Sequence, residues 1–280
     1  MKRVTDTPGW RERLSPAHVA GGTAYAAAAL VGWISPAWAA APLGLFLLAC
    51  LAAPFLPRAG FFLPVVSHGP RTRREVALTF DDGPDPEVTP RLLELLARRG
   101  APATFFVAGR RAEACPSVIR DILGGGHTLG NHSYRHDPAL MLRSRARLRG
   151  EIERVQALLA GFGVRPLAFR PPVGVTNPRL GVVLRELGLI CVTFSCRAGD
   201  FGNRRIGGLA KKILSRVRPG AIVLLHDVAP SGPDGISRWL SEVEGILDGL
   251  EARGYRIRAL EDLIGRPVME RRPPSGPDFS

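Results

Sequence analysis

Cysteine is scarce, with four in 280 residues. That excludes a disulfide-stapled scaffold. Lysine is scarcer, at Lys2, Lys211 and Lys212 alone. The chain still carries 38 Lys+Arg against 25 Asp+Glu, a net +13, so nearly all its positive charge is arginine. Arginine with abundant Ala, Gly and Pro reflects a GC-rich coding bias as readily as nucleic-acid binding, and no nucleic-acid motif accompanies it. Arg143, Arg145, Arg147 and Arg149 form the densest basic run. They alternate by two and are spread around a helix rather than gathered on one face. Nucleic acid is not an expected partner. A composition of 45% hydrophobic and 22% charged residues excludes a disordered or fibrous chain.

Charge is nearly missing from one long stretch. Between Val19 and Val66 the only charged side chain is Arg58, and Lys2, Arg3, Arg11 and Arg13 precede it. A membrane-spanning helix takes about 17–25 apolar residues, so there is room for two. One runs from His18 to Ile34 and a more apolar one from Ala37 to Leu56, parted by Ser35-Pro36. A cleaved signal with small residues at Ala37–Ala41 is one reading and a single anchor another. The preferred reading is a two-helix hairpin. Basic residues flank both outer ends, the second set being Arg58, Arg71, Arg73 and Arg74, and the loop between is uncharged. The positive-inside rule then puts both termini in the cytoplasm, with Phe61-Phe62-Leu63 at the interface. Residues 1–66 are read as this membrane segment.

From Arg74 on, short apolar runs alternate with amphipathic stretches. Strands are expected at Val76–Phe80, Thr104–Val107, Thr128–Asn131, Leu167–Arg170, Ile190–Phe194, Ala221–His226 and Tyr255–Leu260. Helices are expected around Pro90–Leu96, Glu151–Leu159, Pro178–Leu187, Gly208–Val217 and Ser237–Ala252. The expected fold is α/β, a distorted or incomplete (β/α) barrel of about seven parallel strands spanning residues 67–264. The proline-rich tail, 265–280, is expected to be disordered. No internal repeat is present.

In such a barrel, chemistry gathers at the C-terminal ends of the strands. There stand Asp81-Asp82-Gly83-Pro84, then His132-Ser133-Tyr134-Arg135-His136, Arg170-Pro171-Pro172-Val173-Gly174, Asp200, and Leu224-Leu225-His226. Adjacent carboxylates repel unless a cation compensates. An ordinary Asp-Gly-Pro turn accounts for them equally well. Histidines four apart share one face of a helical turn, and one carboxylate with two histidines is a known divalent-metal set. Singly, each is weak: an arginine at a strand end can be a surface charge, and a lone histidine a core residue.

Jointly and in this order, the motifs resemble those of the NodB-homology polysaccharide deacetylases, carbohydrate esterase family four, over roughly Arg74 to Leu263. The resemblance implies Asp81 as catalytic base, Asp82, His132 and His136 as metal ligands, and Arg170 as the group orienting the base. It also implies Leu224 lining the acetyl pocket and His226 as general acid. Asp200 is the candidate partner of that imidazole, and the backbone amides of Val173 and Gly174 are candidates for the oxyanion. The cofactor implied is a divalent ion, Zn2+ first, with Co2+, Ni2+ or Mn2+ also suited. Two departures fall on the groove: Val173-Gly174 where an aromatic usually follows the prolines, and Arg197 and Phe201 where the family has Asp and Trp. With Pro172 these complete the expected substrate contacts.

The implied activity is removal of an N-acyl group from an amino sugar. With the domain on the cytoplasmic side of a bacterial inner membrane, the expected substrate is a lipid-linked glycan precursor and the expected partners include membrane lipids. Beyond residue 66 the balance, 33 Lys+Arg against 23 Asp+Glu, suits such a phosphate-bearing substrate. The alternatives are a periplasmic polysaccharide or peptidoglycan deacetylase, and a non-catalytic membrane binding protein, against which the intact motif set argues.

Overall fold

The computed structural model describes residues 14–56 and 58–271. The basic lead (Lys2, Arg3, Arg11, Arg13) and residues 272–280 lie outside the described residues. Two apolar helices come first: α1 (Pro16–Ile34) and, after a 3-10 turn at Pro36–Trp38, α2 (Ala40–Ala52). Proline opens α1, where its missing N–H costs nothing. The two helices pack as a hairpin, so close that a Cβ on Gly21 would lie 3.0 Å from the Phe46 ring. Their outward side chains are apolar and exposed, Trp33 to 91%. Pro16–Ile34 and Pro36–Phe55 are each long and apolar enough to cross a membrane, the build of a signal or a membrane anchor.

The strands that follow are β1 (Val65–Val66), β2 (Glu75–Asp81), β3 (Ala103–Val107), β4 (Thr128–Asn131), β5 (Val164–Pro166) and β6 (Ala168–Phe169). After them come β7 (Ile190–Val192), β8 (Cys196–Arg197), β9 (Ala221–His226), β10 (Arg256–Ile257) and β11 (Met269–Arg271). Between them run α3 (Val88–Arg98), α4 (Gly109–Ala114), α5 (Pro116–Gly124), α6 (Arg145–Ala160), α7 (Pro178–Leu187), α8 (Leu209–Arg216), α9 (Gly235–Ala252) and α10 (Leu260–Ile264).

Nine strands make one parallel sheet in the order β1-β7-β6-β4-β3-β2-β9-β8, with β10 also on β2. It curls into a half-barrel whose open seam lies between β1 and β8. The segment joining β7 to β8 spans this seam: the Thr193 N–H donates to the Val66 carbonyl and the Ser195 N–H to that of Ile222. β2 is buried from Val76 onward, as a central parallel strand covered on both faces must be. Phe80 stacks on Phe105 at 5.2 Å and meets fully buried Trp239 of α9 edge-on.

All seven expected strands occur: two match their expected bounds, two are longer and three are shortened. The run read as Tyr255–Leu260 holds a strand only at Arg256–Ile257, and Leu260 begins α10. The boundary at Val66 needs correction: β1 pairs with β7, and Leu63, expected at the membrane interface, is 2% exposed in the domain core. The tail is also corrected. β11 pairs antiparallel with β5, and Val268 is fully buried, because its apolar side chain joins the cluster of Ala168, Leu260 and Leu263.

Candidate active site

Register brings the chemistry together. Asp81 on β2 is paired with His226 on β9, and Asn131 on β4 with Phe169 on β6, so the motifs emerge side by side at one rim. Asp81 and Asp82 are then parted by the backbone. Asp82 has φ of 72°, a left-handed conformation that aspartate tolerates better than most residues. The two carboxylates therefore face different partners.

Asp81 faces Arg170. The guanidinium is 1% exposed and lies over the Phe106 ring at 3.9 Å. Its Nη1 donates to Asp81 Oδ1 at 2.6 Å and to Thr79 Oγ1 at 2.8 Å, and its Nη2 to the Thr193 carbonyl at 3.0 Å. Burial works against the charge on Arg170 and lowers its pKa, while Asp81 holds the proton in place.

Asp82 faces the histidines. Its Oδ1 lies 2.9 Å from His136 Nε2 and 3.3 Å from His132 Nε2. The expected helical turn does not exist. Ser133 and His136 have φ of 65° and 52°, and this irregular loop, rather than an i,i+4 helix face, brings the two rings to 4.8 Å. Asn131 braces the loop: its Oδ1 accepts the Ser133 N–H and its amide donates to the Ile152 carbonyl. The His132 Nδ1 lies 2.7 Å from the Arg170 carbonyl, which can only accept, so Nδ1 carries the proton and Nε2 is free to ligate.

These three residues fit a divalent ion. Their ligand atoms lie within 4.8 Å of one another. The Asp82 Oδ1 is buried without a hydrogen bond even with two imidazole nitrogens beside it. Converging, unbonded donors are what a shared cation requires. Burial opposes ionisation of Asp82, yet the two imidazoles hold its carboxyl far below the usual carboxylate range. Burial likewise opposes charge on His132, and Asp81 and Asp82 outweigh it, raising its pKa. An ion entering there would compete with a proton for His132 Nε2.

His226 stands opposite. Its Nδ1 is 2.7 Å from Asp200 Oδ2, and its Nε2 is 3.9 Å from Asp82 Oδ2. Burial works against its charge, but Asp200, then Asp82 and Asp81, lift its pKa to about 9. Because this exceeds the ordinary value of 6.5, the protonated form stabilises the fold at and below neutral pH, and that contribution is lost as pH rises through 9. Replacing Asp200 with Asn removes the main anion. An alkaline limb of kcat/KM is expected near pH 9 for the native protein and closer to neutral pH for the variant. An unmoved limb in Asp200→Asn would reject this pairing.

These groups line one cleft of about 1180 Å³, with Leu224 in its wall and Val173, Arg197 and Phe201 at its rim. Val173 and Phe201 are 57% and 66% exposed. One expected contact and one expected role need correction, although Gly174 itself lines the cleft. Pro172 is buried outside the cleft, and Pro171 lines it instead, because a 3-10 turn at Pro172–Gly174 tucks the second proline inward. The Gly174 N–H donates to the Pro171 carbonyl at 3.0 Å in that turn, which leaves the Val173 N–H as the oxyanion candidate.

Some residues went unread in the sequence. Fully buried Asp227 accepts from the Gly83 N–H and the Thr89 hydroxyl, and burial pushes its carboxyl up to about 7. A Cβ at position 83 would lie 2.1 Å from Asp227 Oδ2, so only glycine fits there. The Asn203 amide donates to the carbonyls of His226 and Val228. Asp227 directly follows His226, which was its only sequence signal. Asn203 had none.

The polysaccharide deacetylase family model matches residues 68–192. A chitooligosaccharide deacetylase of Azorhizobium caulinodans is 34% identical over 201 residues, covering 68% of this chain and 94% of that protein. Among solved structures, a peptidoglycan N-acetylglucosamine deacetylase in complex with 4-naphthalen-1-yl-N-oxidanyl-benzamide superposes with a TM-score of 0.67 at 29% identity, covering 73% of this chain and 94% of that one. A family 4 carbohydrate esterase from Streptomyces lividans in complex with acetate gives 0.60 at 33% identity, covering 69% and 96%. With these likenesses in sequence and fold beside the strand-end motifs, the chain belongs to the NodB-homology polysaccharide deacetylases of carbohydrate esterase family 4 and is a carbohydrate deacetylase.

Proposed function

We propose that this chain is a metal-dependent hydrolase that removes the N-acetyl group from an amino sugar of a membrane-linked glycan precursor. The observation that carries the chemistry is the meeting of Asp82 Oδ1 with the Nε2 atoms of His132 and His136, between Asp81–Arg170 on one side and His226–Asp200 on the other. A divalent ion bound there, Zn2+ first and Co2+, Ni2+ or Mn2+ by the same donors, supplies an acidified water and polarises the acyl oxygen.

The chain's own residues do the rest. Asp81 accepts the proton of the attacking water, and its hydrogen-bonded ion pair with Arg170 keeps it aimed. The His226 Nε2–H then protonates the departing amine, which leaves poorly as an anion. Asp200 fixes the tautomer by taking the Nδ1–H. Leu224 closes the acyl end of the cleft, and Arg197 and Phe201 offer a charged and a flat apolar surface to the sugar.

The membrane-linked substrate is supported by the hairpin, which ends within a few residues of the domain, and by its basic flank at Arg58, Arg71, Arg73 and Arg74. That flank favours the cytoplasmic face of a bacterial inner membrane. A reporter fused at the C-terminus checks the side: fluorescence of a cytoplasm-only reporter is expected. Periplasmic reporter activity would instead favour peptidoglycan, the substrate in the name of one structural relative.

The activity test uses full-length protein in detergent, stripped of metal and reloaded. Acetate release from a polyprenyl-phosphate N-acetylhexosamine is expected to vanish on chelation and return with Zn2+. A chito-oligosaccharide is the soluble comparison. No acetate from either substrate with metal bound would reject the deacetylase reading.

A further inference from the structure

The open seam of the half-barrel holds a second concavity, of about 410 Å³, distinct from the catalytic cleft. Arg58, Arg71, Arg197, Arg216 and Arg218 line it together with His68, and no carboxylate does. Several surface arginines elsewhere have carboxylate partners: Arg99 with Glu244 and Asp248, Arg145 and Arg149 with Glu186. Like charges gathered without a counter-charge are unfavourable unless an anion joins them.

Three of these guanidiniums are anchored on backbone carbonyls: Arg58 on Ser195, Arg216 on Arg197 and Arg218 on Val217. Each has five donors, so anchoring one or two leaves the others for a ligand. The cluster is thus partly pre-set rather than freely solvated. Its place matters too. Arg58 stands three residues beyond Phe55, where the apolar hairpin ends. Arg197, on the edge strand β8, lines both this concavity and the catalytic cleft.

We propose that the seam concavity is a binding site for the phosphate group of a lipid at the membrane surface. A planar guanidinium offers paired N–H donors matched to phosphate oxygens, and several around one pocket suit a mono- or diphosphate. The position beside the hairpin's end sets it at headgroup depth, and the shared Arg197 lets a sugar carried on that phosphate reach the catalytic rim. The inference deepens the membrane-linked part of the proposed function and rests on it, while the phosphate site stands independently of the hydrolytic chemistry.

The test uses full-length protein in neutral detergent and reads the thermal midpoint against three probes: a polyprenyl phosphate, phosphatidylglycerol and inorganic phosphate. One or both lipids are expected to raise Tm in the native chain. The apparent affinity is expected to fall about tenfold or more in the double variant Arg71→Ser, Arg218→Ser and to recover in part in Arg71→Lys, Arg218→Lys. Which lipid acts at the lower concentration tells a substrate carrier from a bulk headgroup. Inorganic phosphate matching the lipids would support the phosphate site with a soluble source. Equal shifts in the native chain and the serine variant, or no shift with any probe, would overturn the site. Acetate release from a chito-oligosaccharide by the same serine variant reports on the cleft alone, so failure of the seam site and failure of the deacetylase reading are told apart.

Discussion

Arg170→Met is expected to cost about 3–5 kcal/mol of folding stability and to abolish deacetylation. Arg170 and Asp81 are 1% and 3% exposed, so removing the cation leaves a largely buried carboxylate without its counter-charge. The loss also frees the Thr79 hydroxyl and the Val192 and Thr193 carbonyls from their donor. Lysine does not substitute, because one ammonium cannot span Asp81, Thr79 and two strand-end carbonyls at once. A denaturant titration measures the loss. The double variant Arg170→Met, Asp81→Asn is expected to recover much of the stability and none of the activity, since both charges then leave together. Arg170→Met with native stability, or with turnover within tenfold of native, would reject the pairing as argued.

Asp81→Asn is expected to lower kcat by about 10²–10⁴ with the ion still bound. The amide keeps the shape of the carboxyl but accepts no proton, and the three donors on the ion side, Asp82, His132 and His136, are untouched. KM is expected to change little, because the lost interaction belongs to the transition state. Asp82→Asn separates the two neighbours: metal content and activity are expected to fall together. Measured metal stoichiometry beside kcat decides. Asp81→Asn with native turnover, or with its metal lost, would contradict the division of labour between the two carboxylates.

That division was legible in part. Thr79-Phe80-Asp81-Asp82-Gly83-Pro84 announces a strand end with two acids, and the apolar run of β9 points directly at His226. What could not be read is which acid turns which way, because that depends on the φ of 72° at Asp82 and on Asp227 pressed against Gly83 from β9. The histidine pair shows the same limit. Spacing by four suggested a helix, and the structure reaches the same proximity through a loop braced by Asn131. Two donors can meet by either route, so spacing alone does not reveal the backbone.

The short elements were lost for a related reason. β1 and β8 have two residues each, too few for an alternation to register, yet they form the edges of the seam. The tail read as disordered contains β11 because Val268 and Met269 find a burial site that exists only once the sheet has curled.

By itself the amino-acid order determined the apolar hairpin, the α/β alternation, the arginine-borne charge and the motif set, because each is a matter of local composition or spacing. The motif set implied the pairings of Asp81 with Arg170 and of His226 with Asp200, and tertiary structure supplied their contacts at 2.6 and 2.7 Å; it alone decided that five arginines share one concavity beside the apolar helices. Those pairings join residues tens to well over a hundred positions apart, and only strand register and the curl of the sheet bring them within hydrogen-bonding or charge range.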